Sequence, residues 1–158
     1  MKSFTLFILF FVAPYLVSGF YAKSNRDYRI QCVKIETTGY VTFNVWDIRL
    51  LHKYSAKQAG KDAIHALLYS GIAGGEACVS QLAYLNNEAS IKKFKKVEKQ
   101  FFSKNGDWLR FVRSSEPTQT STVPTAQENK TFMISIAKND LRRYLESQNI
   151  INKMTHGF

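Results

Sequence analysis

Nucleophilic and metal chemistry rests on few residues in this chain: Cys32, Cys78, and the histidines His52, His65 and His156. No two histidines lie close in sequence, and no His-x-x-x-His or Cys-x-x-Cys occurs, so no metal site is expected. A thiolate at Cys78 would need a neighbouring base, for which His65 is the candidate. That thiol-hydrolase chemistry requires Cys78 to be free. An even cysteine count in an exported chain points instead to a Cys32–Cys78 disulfide, worth about 3–4 kcal/mol through the long loop it closes. Two free buried thiols are the other option.

The carboxylates are scarce. Glu36, Glu76, Glu88 and Glu98 form no pair that sequence can place, so a two-carboxylate glycosidase site is not indicated. Gly71-Ile72-Ala73-Gly74-Gly75-Glu76-Ala77-Cys78 invites comparison with a phosphate-cradling loop. Yet Glu76-Ala77-Cys78 stands where a Walker loop needs Gly-Lys-Ser/Thr, and a helix rather than a strand precedes the glycines. No Gly-x-Ser-x-Gly elbow occurs either. We therefore expect no catalytic set and no cofactor, and read the glycines as a tight connection returning Cys78 to Cys32.

Two groups of residues suit binding rather than catalysis. Lys92, Lys93, Lys95, Lys96 and Lys99 make one face of an expected helix cationic, which is either a solvated surface or a dock for an anionic partner. A helix lying on a membrane surface is a further option. Tyr28, Tyr40 and Trp46, with Arg29 and Arg49, are expected on the outer face of a hairpin, where aromatics among arginines stack bases or sugars unless another element covers them.

The elements that hold these residues follow from periodicity. Tyr28 to Glu36 reads as a strand, Thr37-Thr38-Gly39 as a turn, and Tyr40 to Leu50 as a second strand with Val41, Phe43 and Val45 on its apolar side. Strict alternation puts Asp47 on that side, as a buried acid, unless a bulge turns it out at the strand's end. Trp46 shares the other side with Tyr40, Thr42 and Asn44. Ser55 caps a helix whose stripe is Ala56, Ala59, Ala63, Ile64, Leu67 and Leu68, with Lys57, Lys61 and Asp62 off it and His65 beside it. Gly71 ends this helix. Asn86 or Asn87 caps a helix running to about Ser103, with Ile91, Phe94, Val97 and Phe101 facing inward. Asn105-Gly106 marks a turn. Trp108 to Arg113 is short and β-like. Ser114 to Glu128, with Pro117 and Pro124, is a surface loop. Thr131 to Ala137 alternates again, and Asn139 caps a last helix through Leu141, Tyr144 and Leu145 that stops at Asn149, with Ile150-Ile151 packing beyond. The expected fold is α+β: an antiparallel sheet of about four strands packed by about three helices.

The amino terminus addresses the chain. Lys2 precedes Phe4–Ala13, an apolar run too short to span a bilayer and suited to a signal-peptide core. Pro14 and the small residues before Phe20 place cleavage after Gly19, so residues 1–19 form the signal and 20–158 a single domain. An uncleaved anchor extending through Val17 is the alternative. The whole chain carries a formal charge of +10, which favours polyanionic partners or simple solvation. Asn129-Lys130-Thr131 is a glycosylation sequon, relevant only to a eukaryotic secretory pathway.

Gly39-Tyr40-Val41, Ala59 with Asp62-Ala63 and His65, Gly71-Ile72, Gly75 with Cys78, Phe101-Phe102 and the ending Gly157-Phe158 together resemble a family of small exported proteins of Bacteroidota-type bacteria that carries no assigned activity. The Ala59-x-x-Asp62-Ala63 helix is also similar to small envelope domains of the flagellar-assembly and lipoprotein kind, although the lipoprotein cysteine is missing. The resemblance implies a bacterial envelope. The expectation is a periplasmic or secreted, non-catalytic binding or scaffold protein. Its partner would be an envelope protein or an anionic surface, with no specific nucleic acid and no membrane span after cleavage. The alternatives are a protein that self-assembles through exposed strand edges, and the thiol hydrolase.

Overall fold

The computed structural model describes residues 28–48, 54–75, 77–114 and 131–153. The expected signal segment 1–19, Arg49, His52, Glu76, the polar loop from 115 on, the Asn129 sequon, His156 and the Gly157-Phe158 ending lie outside the described residues.

Two alternating segments pair as expected. β1 (Tyr28–Ile35) runs antiparallel to β2 (Tyr40–Asp47). Thr37-Thr38-Gly39 closes the hairpin, with Gly39 N–H donating to Glu36 O (3.0 Å) and Glu36 N–H to Tyr40 O (2.8 Å). Gly39 takes φ +87°, the left-handed position that a three-residue hairpin loop requires. β1 carries a bulge between Cys32 and Lys34, which lets Tyr28, Ile30, Cys32 and then Ile35 share one face.

α1 (Ala56–Tyr69) crosses that face. Ser55 Oγ accepts from Gln58 N–H at 3.2 Å and caps it. Ala59, Gly60 and Ala63 present almost no side chain, so the helix sits close against the sheet; a Cβ on Gly60 would lie 2.9 Å from Val112 Cγ1. Gly71, at φ +78°, turns the chain out of α1 and donates its N–H to Ala66 O (2.8 Å). A small ladder follows, Ile72 with Gln81 and Gly75 with Cys78. It carries Cys78 to Cys32, and the two form a disulfide with Cα atoms 6.2 Å apart. The glycine segment is thus the expected connection.

The next stretch departs from the single helix expected to run to Ser103. α2 (Glu88–Lys95), capped by Asn87 Oδ1 on Ser90 N–H (2.9 Å), stops at a turn through Lys96 and Val97; α3 (Glu98–Phe101) follows as one turn. At the break Val97 N–H donates to Phe94 O (2.9 Å), an i→i+3 contact that tightens the backbone. In a straight helix Phe101 and Phe102 would point about 100° apart. α3 ends at Phe101, with Phe102 in its cap position, and both join Phe94 in the core, with ring centroids 5.3 Å (Phe94–Phe101) and 4.9 Å (Phe101–Phe102) apart.

Trp108 to Arg113 is not a strand throughout. Asp107–Phe111 forms a 3-10 helix, and only Val112–Ser114 (β3) is extended. Trp108 and Phe111, three apart, both turn inward, which is the 3-10 repeat rather than the strand repeat. Trp108 is fully buried and donates Nε1–H to Ser103 O (2.9 Å).

β4 (Thr131–Ala137) inserts between β2 and β3, giving the antiparallel order β1-β2-β4-β3. Phe132, Ile134 and Ile136 face α1 alongside Val41, Phe43 and Val45. α4 (Lys138–Ser147) starts at once, with Ala137 and not Asn139 in the cap position. Asn139 instead packs on the Gly39 turn and donates its N–H to Gly39 O (3.2 Å). Leu141 and Leu145 fill the core; Asn149 at φ 55° ends the helix, and Ile150 packs beyond it. The fold is therefore α+β: four antiparallel strands with the helical elements gathered over one face.

Candidate functional site

Three surfaces and one buried network hold the side chains from which function can be built. The network lies between α1 and the β1–β2 end of the sheet. Asp62, which the amphipathic stripe assigned to the solvent side, is only 3% exposed. Its carboxylate accepts from Tyr54 OH (Oδ2, 2.9 Å) and from Gln58 Nε2 one turn earlier (Oδ1, 2.9 Å). Burial, then the Asp62 charge, push the Tyr54 phenol far above its ordinary range. Asp47 is buried on the apolar side, as strict alternation in β2 requires, and stands opposite Tyr28. Tyr28 is therefore on the helix-covered face, not on the outer face with Tyr40 and Trp46. Its hydroxyl shares a hydrogen bond with His65 Nδ1 (3.1 Å), and His65 packs on the Tyr69 ring at 4.7 Å. Tyr69 OH donates to Glu98 Oε1 (3.2 Å), tying α1 to α3. Tyr28–His65 and Tyr69–Glu98 tie α1 to β1 and α3, while Asp62 gathers Tyr54 and Gln58 at the start of α1. The Gln58-x-x-x-Asp62 spacing was the available sign of it.

The disulfide decides the thiol chemistry. Both sulfurs are in the Cys32–Cys78 bond, so Cys78 carries no thiolate for His65 to activate. Among the described residues no group of His, Cys, Asp and Glu is arranged to hold a metal ion, and no helix is long and apolar enough to cross a membrane.

The first surface is cationic. Lys92, Lys93, Lys95, Lys96 and Lys99 are all exposed along α2, the break and α3. Among the described residues none of the five is paired with a carboxylate; Lys93 Nζ donates to Asn149 O at 2.9 Å. The nearby Glu98 is taken up by Tyr69. Lys57 Nζ donates to Lys104 O (3.1 Å) and Lys61 Nζ to Phe102 O (2.6 Å), and both lie over the Trp108 ring at 5.9 and 5.3 Å. The positive charge thus continues from α2 past α3 towards α1. Lysines near the C-terminal end of α2 suit its dipole, but Lys92 with Lys95 and with Lys96 are like charges at helix-neighbour spacing, each pair costing about 0.2–0.5 kcal/mol.

The second surface is a cleft of about 600 Å³ between the 3-10 helix and α4. Its charges are satisfied internally: Arg110 pairs with Asp107, Arg143 with Asp140, and Tyr144 OH donates to Asp107 Oδ2 (3.0 Å).

The third is the sheet face away from α1. Tyr40, Thr42, Asn44 and Trp46 lie along β2, with Arg29, Gln31 and Lys34 across on β1, Met133 and Ser135 on β4, and Arg113 on β3. Thr42 Oγ1 and Ser135 Oγ share a hydrogen bond (2.8 Å), and the Arg113 guanidinium lies 4.6 Å from the Tyr40 ring centre. Two of the three aromatics expected here, Tyr40 and Trp46, are present. No described helix packs on this face. No family model, curated protein or solved structure matches the chain.

Proposed function

We propose that this chain works outside the cytoplasm as a non-catalytic binding or scaffold protein that docks on an anionic envelope surface through Lys92, Lys93, Lys95, Lys96 and Lys99. The observation that carries the reading is five exposed lysines in eight positions without a described carboxylate partner. Such a face repels itself, and an anionic surface relieves the repulsion while releasing its own counterions. The disulfide supports an oxidising compartment, since cytosolic thiols are kept reduced. The signal-like amino terminus and the resemblance to exported envelope proteins support the same address.

Co-sedimentation with phosphatidylcholine vesicles, with and without phosphatidylglycerol, tests the reading. The oxidised protein binds the anionic vesicles only, and more weakly as salt rises. Lys93→Glu/Lys96→Glu/Lys99→Glu lowers that binding at least about tenfold, because each basic residue near an anionic surface contributes about 1 kcal/mol. Equal binding by the triple variant, or no preference for anionic vesicles, overturns it.

A further inference from the structure

The sheet face away from α1 is separate from the lysine surface and has a different chemistry. Its central strand carries a ring at each end, Tyr40 and Trp46, six residues or about 20 Å apart at the rise of an extended chain. Each ring has an arginine beside it: Arg113 lies over Tyr40 at 4.6 Å, and Arg29 stands directly across from Trp46. Between the rings the strand carries Thr42, buried and paired with Ser135, and then the half-buried amide of Asn44. The charge is one-sided. Arg29, Lys34 and Arg113 are exposed, whereas the one described carboxylate beside them, Glu36, is held by Lys34 Nζ at 2.7 Å.

We propose that this face binds an acidic polysaccharide, with a sugar ring on Trp46 and uronate carboxylates on Arg29 and on Arg113, whose guanidinium is held over Tyr40. The apolar side of a pyranose packs on an aromatic ring, while a carboxylate accepts two parallel hydrogen bonds from a guanidinium. The Asn44 amide between the rings supplies a partner for a sugar hydroxyl. Charge complementarity selects an acidic polymer over a neutral one. A single-stranded nucleic acid meets the charge but not the spacing, because successive bases stack on neighbouring platforms, and these two are separated by the length of the strand.

The test uses the oxidised protein in the Lys93→Glu/Lys96→Glu/Lys99→Glu background, which removes the net positive charge of the lysine surface. Its probes are an alginate oligomer, dextran and a single-stranded oligothymidylate. Titration calorimetry reads the affinity of every variant, and Trp46 emission, with Trp108 held in the core as the internal reference, reports contact where Trp46 is kept. Alginate shifts the emission and binds at least about tenfold more tightly than dextran or the oligonucleotide. Trp46→Ala or Arg29→Gln/Arg113→Gln weakens it by about tenfold or more, a loss in the range of one stacking contact. Trp46→Phe, which keeps a ring and the packing, retains most of the affinity and shows that the loss is not unfolding. Tighter binding of the oligonucleotide, equal binding of dextran, or alginate affinity that vanishes with the lysines and ignores Trp46 overturns the proposal. Failure of the vesicle experiment leaves this result untouched, because the two surfaces are read by different variants.

Discussion

The Cys32–Cys78 bond allows a prediction worked from loop length. It joins residues 46 apart, and in the chain-entropy account closing a loop of that size removes about 4 kcal/mol worth of freedom from the unfolded chain. Because the restraint acts on the unfolded ensemble, Cys32→Ser/Cys78→Ser and reduction of the unmodified protein lower stability by similar amounts. For a domain of this size each kcal/mol moves the melting temperature by about 4 °C, so both shifts are about 15 °C downward. Circular dichroism melts with and without reductant measure them. Urea titration adds an independent reading: the unlinked chain expands further, so its m value rises as its midpoint falls. A thiol reagent finds no reactive cysteine in the oxidised native protein. Oxidised and reduced melting temperatures within about 3 °C of each other, or an unchanged m value, would refute the reasoning. Either result would mean that the Gly71–Gln81 connection holds its place without the bond.

Other parts of the structure make their own predictions. Gly71→Ala puts a side chain into a left-handed position and against Gln81 O, and lowers stability by about 2 kcal/mol or more in a urea titration. Asp62→Ala strips Tyr54 OH and Gln58 of their shared acceptor inside the protein and costs about 1–3 kcal/mol; a loss under about 0.5 kcal/mol would show that the network is solvated. Burial, with the Asp107 hydrogen bond, pushes the Tyr144 phenol up to about 12. The folded state then holds that proton more tightly than the unfolded chain, so its contribution is whole below pH 10 and falls away between about 10 and 12. Tyrosinate absorbance is expected to lose one late step in Tyr144→Phe, and an unchanged titration curve would contradict the assignment.

Local rules made much of this legible. The period-two runs at 40–47 and 131–137, the cap at Ser55, the stops at Gly71 and Asn149, and the cysteine pair all depend on nearest neighbours or on composition. What escaped depends on distant residues. The insertion of β4 between β2 and β3 is a choice among pairings that alternation does not rank. The break after Lys95 has no glycine or proline to mark it, and Phe94, Phe101 and Phe102 all reach one core, which helical spacing alone does not show. Asp62 misled because a carboxylate next to Lys61 and off the apolar stripe looks solvated, while Tyr54 and Gln58 satisfy it inside the protein. The side taken by Tyr28 had a readable sign: it shares parity with Ile30 and Cys32, and Cys32 must face inward to meet Cys78.

The sheet edges bear on the self-assembly alternative. β1 is one outer strand of the described sheet, interrupted by the bulge and carrying Arg29 and Lys34. β3 is the other, and it is only three residues long. Bulges, charges and shortness are the devices by which sheets discourage pairing with another chain. Growth by strand addition is thus opposed at both ends, whereas the faces of the molecule are not treated alike. One is filled by α1 and its small residues; the opposite one keeps a tryptophan, a tyrosine and two arginines on a sheet no described helix covers. A protein built to polymerise through its sheet would have invested in the edge. Here the aromatic and cationic side chains lie on the flat of the sheet and along α2 and α3, where the two proposed binding surfaces are.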